Sequence, residues 1–249
     1  MSLNDFQFIQ GDCLVELKNL PDNSVDMVMA DPPYQQNYNY GWDDDGIDLD
    51  KLWVELKRIV KEDGVIAMTA QQPFTSKLVL SNLEWFRYEW IWDKQIPKGM
   101  HQAKFQPMRR HESVIIFCDK YKGNYYPIKT PREKPVKSFN ITKNNKGGIG
   151  PYLDNDKKIF TYTDKNPVSI ITGHFEANRG TVRYHPTQKP VSLMEYLVKT
   201  YTLEEDVVLD FCYGSCATGV ACKNSNRNFI GIELDENYYE MGKERVLNS

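Results

Sequence analysis

Asp31-Pro32-Pro33-Tyr34 sets a carboxylate, two residues without amide donors and an aromatic ring in four consecutive positions. Proline has no N–H and a fixed φ, so the pair cannot continue a strand ladder. Backbone carbonyls are left free to face a ligand. Together these groups suit a planar base that carries an exocyclic amino group. The plain alternative is a proline turn with a solvent-exposed Asp, which is a common arrangement.

A second set lies near the far end of the chain. The apolar run Val207-Val208-Leu209 ends in Asp210-Phe211, and the turn Tyr213-Gly214-Ser215-Cys216-Ala217-Thr218-Gly219 follows. After a helical stretch, Asn228-Phe229-Ile230-Gly231-Ile232 ends in Glu233, 19 residues beyond Gly214. Strand, Gly-rich turn, helix, strand and terminal acid form the pattern of a nucleoside-cofactor site. The acid is placed to accept both ribose hydroxyls. The glycines do not follow Gly-x-Gly-x-x-Gly, so provision for a pyrophosphate is poor. S-adenosylmethionine, which has none, fits the turn better than a dinucleotide. A helix cap with a surface Glu is the plain alternative here.

The elements that must position these residues read as alternating strands and helices. Phe6–Gln10 is a strand, and Asp12 caps a helix over 14–20. The apolar run Val25–Ala30 is a buried strand whose carboxyl end delivers Asp31. In open α/β sheets ligands bind at that edge. Leu49, Leu52, Trp53, Leu56, Ile59 and Val60 share one face of a helix over 47–61. Strands are expected at 65–70, 86–93 and 113–118, with a helix from Pro73 to about Asn82 between the first two. Residues 35–46 are polar and rich in Asn, Tyr and Asp, and read as a lid-like loop. From 120 to 184 the apolar period fades, and Gly147-Gly148-Ile149-Gly150-Pro151 breaks the chain. About 65 residues is too long for an ordinary connection, so this is an insertion or small subdomain. Regular pattern returns with a helix opened by Pro190 and closes with a helix over 238–246.

The chain has 249 residues and a net charge of −3, with 41% hydrophobic and 26% charged residues, an ordinary globular composition. Charge is unevenly spread. From Lys94 to Lys146 there are 13 Lys and Arg against 3 acidic residues, whereas 43–63 holds 8 acidic and 4 basic. One polyanion-facing region on an acidic protein is implied, with a solvated loop as the alternative. Arg109, Arg110, Lys120, Lys122, Lys129, Arg132 and Arg179 are candidates for contact with the polyanion. The five cysteines form no Cys-x-x-Cys pair, so no metal site is expected, and reduced thiols suit a cytoplasmic protein. No apolar run approaches the ~18 residues needed to span a membrane. Met1–Asp5 lacks the apolar segment of a signal peptide.

Taken jointly and in this order, the two sets resemble the DNA amino-methyltransferases, in the group whose catalytic motif precedes the cofactor loop. Asp31-Pro32-Pro33-Tyr34 matches the catalytic motif, and 210–219 is similar to the cofactor loop. His185-Pro186-Thr187-Gln188-Lys189-Pro190 resembles the segment that also lines the cofactor. Gly11-Asp12-Cys13 is similar to the element that contacts its adenine. Trp92-Asp93-Lys94 and His111-Glu112 have counterparts as well. The resemblance covers roughly 6–118 and 184–247.

It implies an α/β, Rossmann-like, S-adenosylmethionine-dependent methyltransferase fold, with a mixed central sheet, helices on both faces and a basic inserted target-recognition region. Residues 1–118 would be the catalytic half, 119–183 the insertion, and 184–249 the cofactor half of the same domain. Asp12, Cys13, Asp31, Thr187, Lys189, Asp210, Gly214, Ser215, Cys216, Thr218 and Glu233 would hold the cofactor. The loop departs from the family at Cys212, expected to pack as a small hydrophobe. It departs again at Cys216, whose Cβ is expected to crowd the methionine moiety or change the loop conformation.

The implied function is methylation of adenine N6 in a base flipped from double-stranded DNA. Cytosine N4 is the close alternative. A DNA-binding module on a decayed methyltransferase fold is an alternative of another class, and a nicotinamide-dependent oxidoreductase is a third. A homodimer is implied by the resemblance only.

Overall fold

The computed structural model describes residues 6–34, 46–121, 123–139, 159–173 and 187–249. Residues 35–45 of the loop expected at 35–46, the Gly147–Pro151 breaker, Lys122, Arg179 and His185-Pro186 lie outside those residues. In chain order the elements are β1 (Gln7–Gln10), α1 (Cys13–Glu16), β2 (Val25–Ala30), α2 (Leu49–Ile59), β3 (Val60–Ala70), α3 (Phe74–Ser81), β4 (Phe86–Lys98) and β5 (Arg109–Phe117). They continue with β6 (Thr130–Phe139), β7 (Ile159–Lys165), β8 (Ile170–Ile171), α4 (Val191–Tyr201), β9 (Val207–Asp210), α5 (Ala217–Asn224), β10 (Asn228–Glu233) and α6 (Glu236–Leu247).

The chain divides into two compact units, 1–126 with 169–249, and 127–168. The first is built on an eight-stranded sheet in the order β1-β10-β9-β2-β3-β5-β4-β8. Strands β1, β10, β9, β2 and β3 run parallel. β5 is antiparallel to both β3 and β4, which makes the sheet mixed.

Why β2 sits centrally follows from its sequence. Every residue of it is buried. Successive side chains of a strand point to opposite faces, so Met27 and Met29 enter one core while Val28 and Ala30 enter the other, which Val25 joins across a register shift between it and Met27. The first core is completed by Leu193, Leu197 and Val198 of α4 and Val220 of α5. The second is completed by Leu52, Leu56 and Ile59 of α2 and Phe74 and Leu78 of α3. Burying a side chain of this size contributes roughly 1.5–3 kcal/mol. Asp26 is the polar exception in β2. Its carboxylate accepts from Lys61 Nζ at 2.7 Å and from the Val207 amide at 2.9 Å, which ties β2 to the start of β9.

Local chemistry sets the helix ends. Asp12 caps α1 by accepting from the Leu14 amide at 2.8 Å, and Asp48 caps α2 through the Lys51 amide at 3.1 Å. The helix expected over 14–20 is one α-turn that tightens to a 3-10 turn at Leu17–Asn19. Leu20 precedes Pro21 and is extended, as the proline ring requires. β4 and β5 both run further than expected, to Lys98 and from Arg109.

The second unit contains β6 paired antiparallel with β7, with a register shift between Pro131 and Val136. It lies within the 119–183 span read as the insertion.

Candidate active site

The parallel strands aim their carboxyl ends at one edge of the sheet. Asp31 follows β2 there, Asp210 and Glu233 close β9 and β10, and Gly11-Asp12 follows β1. The antiparallel register of β5 brings its opposite end to the same edge. Ser113 pairs with Ala70, the last residue of β3, so Glu112 lies just beyond the end of β3. A cavity of about 990 Å³ runs along this edge. That is the upper end of the range of roughly 300–1,000 Å³ seen for ligand pockets.

One half of the cavity is built around Asp31. Its Oδ1 accepts from the Tyr34 hydroxyl at 2.7 Å and from the Thr69 hydroxyl. Its Oδ2 accepts from Lys189 Nζ at 2.6 Å. The Tyr34 ring stacks on Phe74, with centroids 5.5 Å apart and planes at 23°. The Lys189 ammonium lies 5.5 Å from the Tyr34 centroid. Burial, then the charges of Asp31 and Glu112, push the Tyr34 phenol well above its ordinary pKa, so it remains a donor.

Behind this group lies a buried carboxylate between two lysines. Glu112 Oε1 accepts from Gln71 Nε2 at 2.6 Å and pairs with Lys94. Its Oε2 is 3.4 Å from Lys189 Nζ. Burial alone would raise the Glu112 pKa, but the charges of Lys189 and Lys94 outweigh it and hold the carboxyl ionised. Burial would likewise strip the proton from Lys189. Asp31 and Glu112 reverse that and raise its pKa above the usual value. One buried cation is thus held by two carboxylates.

The other half of the cavity is built around Glu233. The Gly214 amide donates to its Oε2 at 2.8 Å and the Asp235 amide to its Oε1 at 3.0 Å. Each oxygen keeps accepting capacity on a cavity-lining side chain. Gly214 has φ of 47°, a left-handed conformation that glycine adopts without cost. Asp210 is buried, and burial pushes its carboxyl up to about 7, despite the hydroxyl of Thr218 and the Cys212 amide. Burial, then the Asp12 charge, pushes the Cys13 thiol up to about 12, so it is unreactive.

Asp31, Pro32, Pro33, Tyr34, Asp12, Cys13, Thr187, Lys189, Asp210, Gly214, Ser215, Thr218 and Glu233 all line this one cavity. Cys216 does not, although Ser215 and Ala217 on either side of it do. It is fully buried, with φ 54° and ψ 40°, and its side chain joins the core. Its side chain is thus turned into the core and not into the cavity. Gly219 makes the room: a Cβ there would stand 2.5 Å from Cys216 Sγ. Cys212 is half-buried and packs against the second core, as its size suggests.

The basic candidates separate. Arg109 lines the cavity. Arg110 is exposed but held by Asp93 through two hydrogen bonds of 2.7 Å. Lys120 is exposed, 3.9 Å from Asp119. Lys129 is exposed and Arg132 half-buried in the second unit, where Arg132 Nε donates to the Asp164 carbonyl at 2.9 Å. Sequence reasoning did not name Thr69, Gln71 or Phe74 as site residues, and it quoted Lys94 and Glu112 as motif members without a role. No local signal marks the first three, which are brought in by strand pairing and packing.

A family model described as DNA methylase matches residues 25–244. The type II methyltransferase M.HpaI of Haemophilus parainfluenzae is 29% identical over 257 residues, spanning 97% of this chain and 74% of that protein. The DNA adenine methyltransferase YhdJ of Escherichia coli (strain K12) is 28% identical over 256 residues, spanning 96% of this chain and 81% of its own. Among solved structures, the M1.HpyAVI–SAM complex is similar with a TM-score of 0.61 and 25% identity, covering 96% of this chain and 99% of the other. The cytosine-N4-specific PvuII DNA methyltransferase shares the fold, with a TM-score of 0.64, 16% identity and coverage of 98% and 88%.

Proposed function

The chain belongs to the DNA methylase family, and we propose that it transfers a methyl group from S-adenosylmethionine to the N6 amine of an adenine turned out of double-stranded DNA. One observation carries this reading. The Asp31 carboxylate and the Glu233 carboxylate lie in a single cavity, with the Tyr34 ring beside the first and the glycine turn beside the second. The relative named as a DNA adenine methyltransferase favours adenine over cytosine.

The residues fit the cofactor. Glu233 is fixed by two backbone amides and can accept from ribose hydroxyls. Gly214 and Ser215 lead into the α5 N-terminus without a side chain blocking the cavity. Asp12, Cys13, Thr187, Asp210 and Thr218 complete the lining on that side, and Lys189 lies between the two halves. When bound, S-adenosylmethionine supplies an electrophilic methyl group on a sulfonium.

The rest is done by the chain. The adenine amine is a poor nucleophile because its lone pair is delocalised into the ring. Asp31 and the Pro32 carbonyl accept its two N–H groups, which favours a pyramidal nitrogen and turns the lone pair out of the ring. This is positioning combined with electrostatic stabilisation. The surplus proton of the methylated amine passes to Asp31 and on to solvent. Pro33 holds the turn that presents these acceptors. Tyr34 offers an aromatic face, and stacking of roughly 1–3 kcal/mol per base offsets part of the cost of flipping.

Within this reading, 119–183 serves as the target-recognition region, with Lys120, Lys129 and Arg132 among its phosphate-contacting candidates and Arg109 of β5 a further one. The catalytic and cofactor halves flank it. No helix among the described residues is long and apolar enough to cross a membrane. A cytoplasmic enzyme acting as a homodimer follows from the resemblance, and sedimentation with and without duplex DNA tests the dimer. The motive for a decayed, non-catalytic module was Cys216, and its place in the core removes that motive.

The functional test is tritium transfer from labelled S-adenosylmethionine to duplex DNA, followed by nucleoside analysis. N6-methyl-2′-deoxyadenosine is expected. Label in N4-methylcytosine, or no transfer by protein that binds S-adenosylhomocysteine, overturns the reading.

A further inference from the structure

Asp31 is held by three donors. Tyr34 and Thr69 donate to Oδ1, and Lys189 holds Oδ2. The proposed methylation, on which this inference rests, needs Asp31 to accept from the target amine. A carboxylate has about four acceptor positions, so the amine enters beside Lys189 on Oδ2, and a fourth donor there weakens the hold on the ammonium. Lys189 is the donor with a second destination already built. Glu112 is 4% exposed, and its Oε2 has no hydrogen-bond donor among the described residues. That oxygen stands 3.4 Å from Lys189 Nζ. Its partner oxygen is held by Gln71 and Lys94, which fixes the carboxylate with Oε2 toward Lys189. A buried acceptor without a donor is costly, and a shift of under about 1 Å would bring the ammonium to ordinary hydrogen-bond distance.

We propose that Glu112 is a positioning residue whose Oε2 receives the Lys189 ammonium when the target amine takes Asp31 Oδ2. No bond is made or broken and no proton is transferred. The ammonium stays charged and passes from one carboxylate toward the other. The Glu112 carboxylate, already paired with the ammonium at 3.4 Å, is what lets Asp31 exchange partners without exposing a bare buried cation. The charged and titratable groups around Lys189 are Asp31 and Tyr34 after β2, Glu112 on β5 and, across Glu112, Lys94 on β4. Asp210 at the end of β9 is the next carboxyl along the edge.

The test is Glu112→Gln in the full chain, with kcat for DNA methylation followed from about pH 7 to pH 9.5. Without the second carboxylate, Lys189 leaves Asp31 readily only by giving up its proton. Turnover is then expected to fall by about tenfold or more at pH 7 and to climb with pH, by up to about tenfold per unit. The wild type is expected to be flat over the same range. Calorimetric titration with S-adenosylhomocysteine is expected to give the same Kd for both within about twofold, because Glu112 acts on the base side of the cavity.

A rate equal to the wild type at every pH overturns the proposal. So does a loss that is the same at every pH, or loss of S-adenosylhomocysteine binding, since either marks a merely structural role. The double variant Glu112→Gln with Lys189→Met removes one charge of each sign and covers the case in which the single variant does not fold. It is expected to fold and, at saturating cofactor, to turn over without the pH climb and faster than the single variant at pH 7. A double variant that is inactive or unfolded overturns the proposal. Wild-type protein that methylates no DNA defeats the functional reading itself, and is distinguished by needing no variant.

Discussion

The Gly214 amide points at Glu233 Oε2 from 2.8 Å, across a separation of 19 residues that includes α5 and β10. The turn and the acid at the end of the next strand therefore hold each other, and the same carboxylate faces the cavity. Replacing Glu233 with Ala removes an ionic acceptor and frees two backbone amides. Hydrogen bonds to charged groups are worth roughly 1.5–3 kcal/mol. The Kd for S-adenosylhomocysteine is expected to rise between about tenfold and a hundredfold. An unchanged calorimetric Kd would place the nucleoside elsewhere.

Asp31→Ala separates chemistry from cofactor binding. Losing the acceptor for the amine is expected to lower methyl transfer by about a thousandfold or more, in the upper range for removal of one preorganised polar group. S-adenosylhomocysteine should still bind. Turnover within tenfold of the wild type would exclude Asp31 from the reacting centre.

Cys216→Gly tests where that side chain points. Its φ of 54° is a left-handed conformation that costs a non-glycine residue roughly 1–2 kcal/mol. Its burial against Gly219 returns a similar amount through packing. The two nearly cancel, so chemical denaturation should show a change within about 1 kcal/mol, and cofactor affinity should stay within about twofold. A large gain in affinity would mean that the thiol crowds the cavity after all.

Asp210 makes stability depend on pH. Its carboxyl titrates at about 7 in the fold against 3.8 ordinarily. A raised folded pKa means that the fold binds the proton more tightly than the unfolded chain does. That contribution is complete below 3.8 and is lost as pH rises through about 7. Asp210→Asn does not titrate. The melting temperature of the wild type, measured against this variant, is expected to fall between about pH 4 and pH 7.5 and to level off above. A gap that does not change with pH would show that Asp210 ionises normally.

The parallel core of the fold was legible because its strands are short apolar runs ending in acids. Val25–Ala30, Val207–Asp210 and Asn228–Glu233 each announce a buried strand and what it delivers. Partners across the fold were not legible. Lys189 meets Asp31 over 158 residues of chain, and nothing near either residue encodes the other. Arg110 read as a polyanion contact, yet the pairing of Asp93 with His111 across β4 and β5 sets a carboxylate beside it. The β6–β7 pair was hidden for a different reason. Thr130–Phe139 is rich in Lys and Pro, and its described side chains from 132 to 138 are exposed or half-buried, so it shows no alternation of apolar and polar residues.

The pairing of β1 with β10 has a consequence for how the molecule is made. Synthesis at roughly 5–20 residues per second separates the two strands by on the order of ten to forty seconds. For that interval β1 has no neighbour to pair with, and the nucleoside half of the cavity does not exist. The emerging chain can assemble β2 and β3 early, but cannot retain S-adenosylmethionine until β10 has been translated. A nascent chain halted before Asn228 should therefore lose its first strand to added protease, whereas one halted well past Glu233, with β10 clear of the ribosome, should keep it.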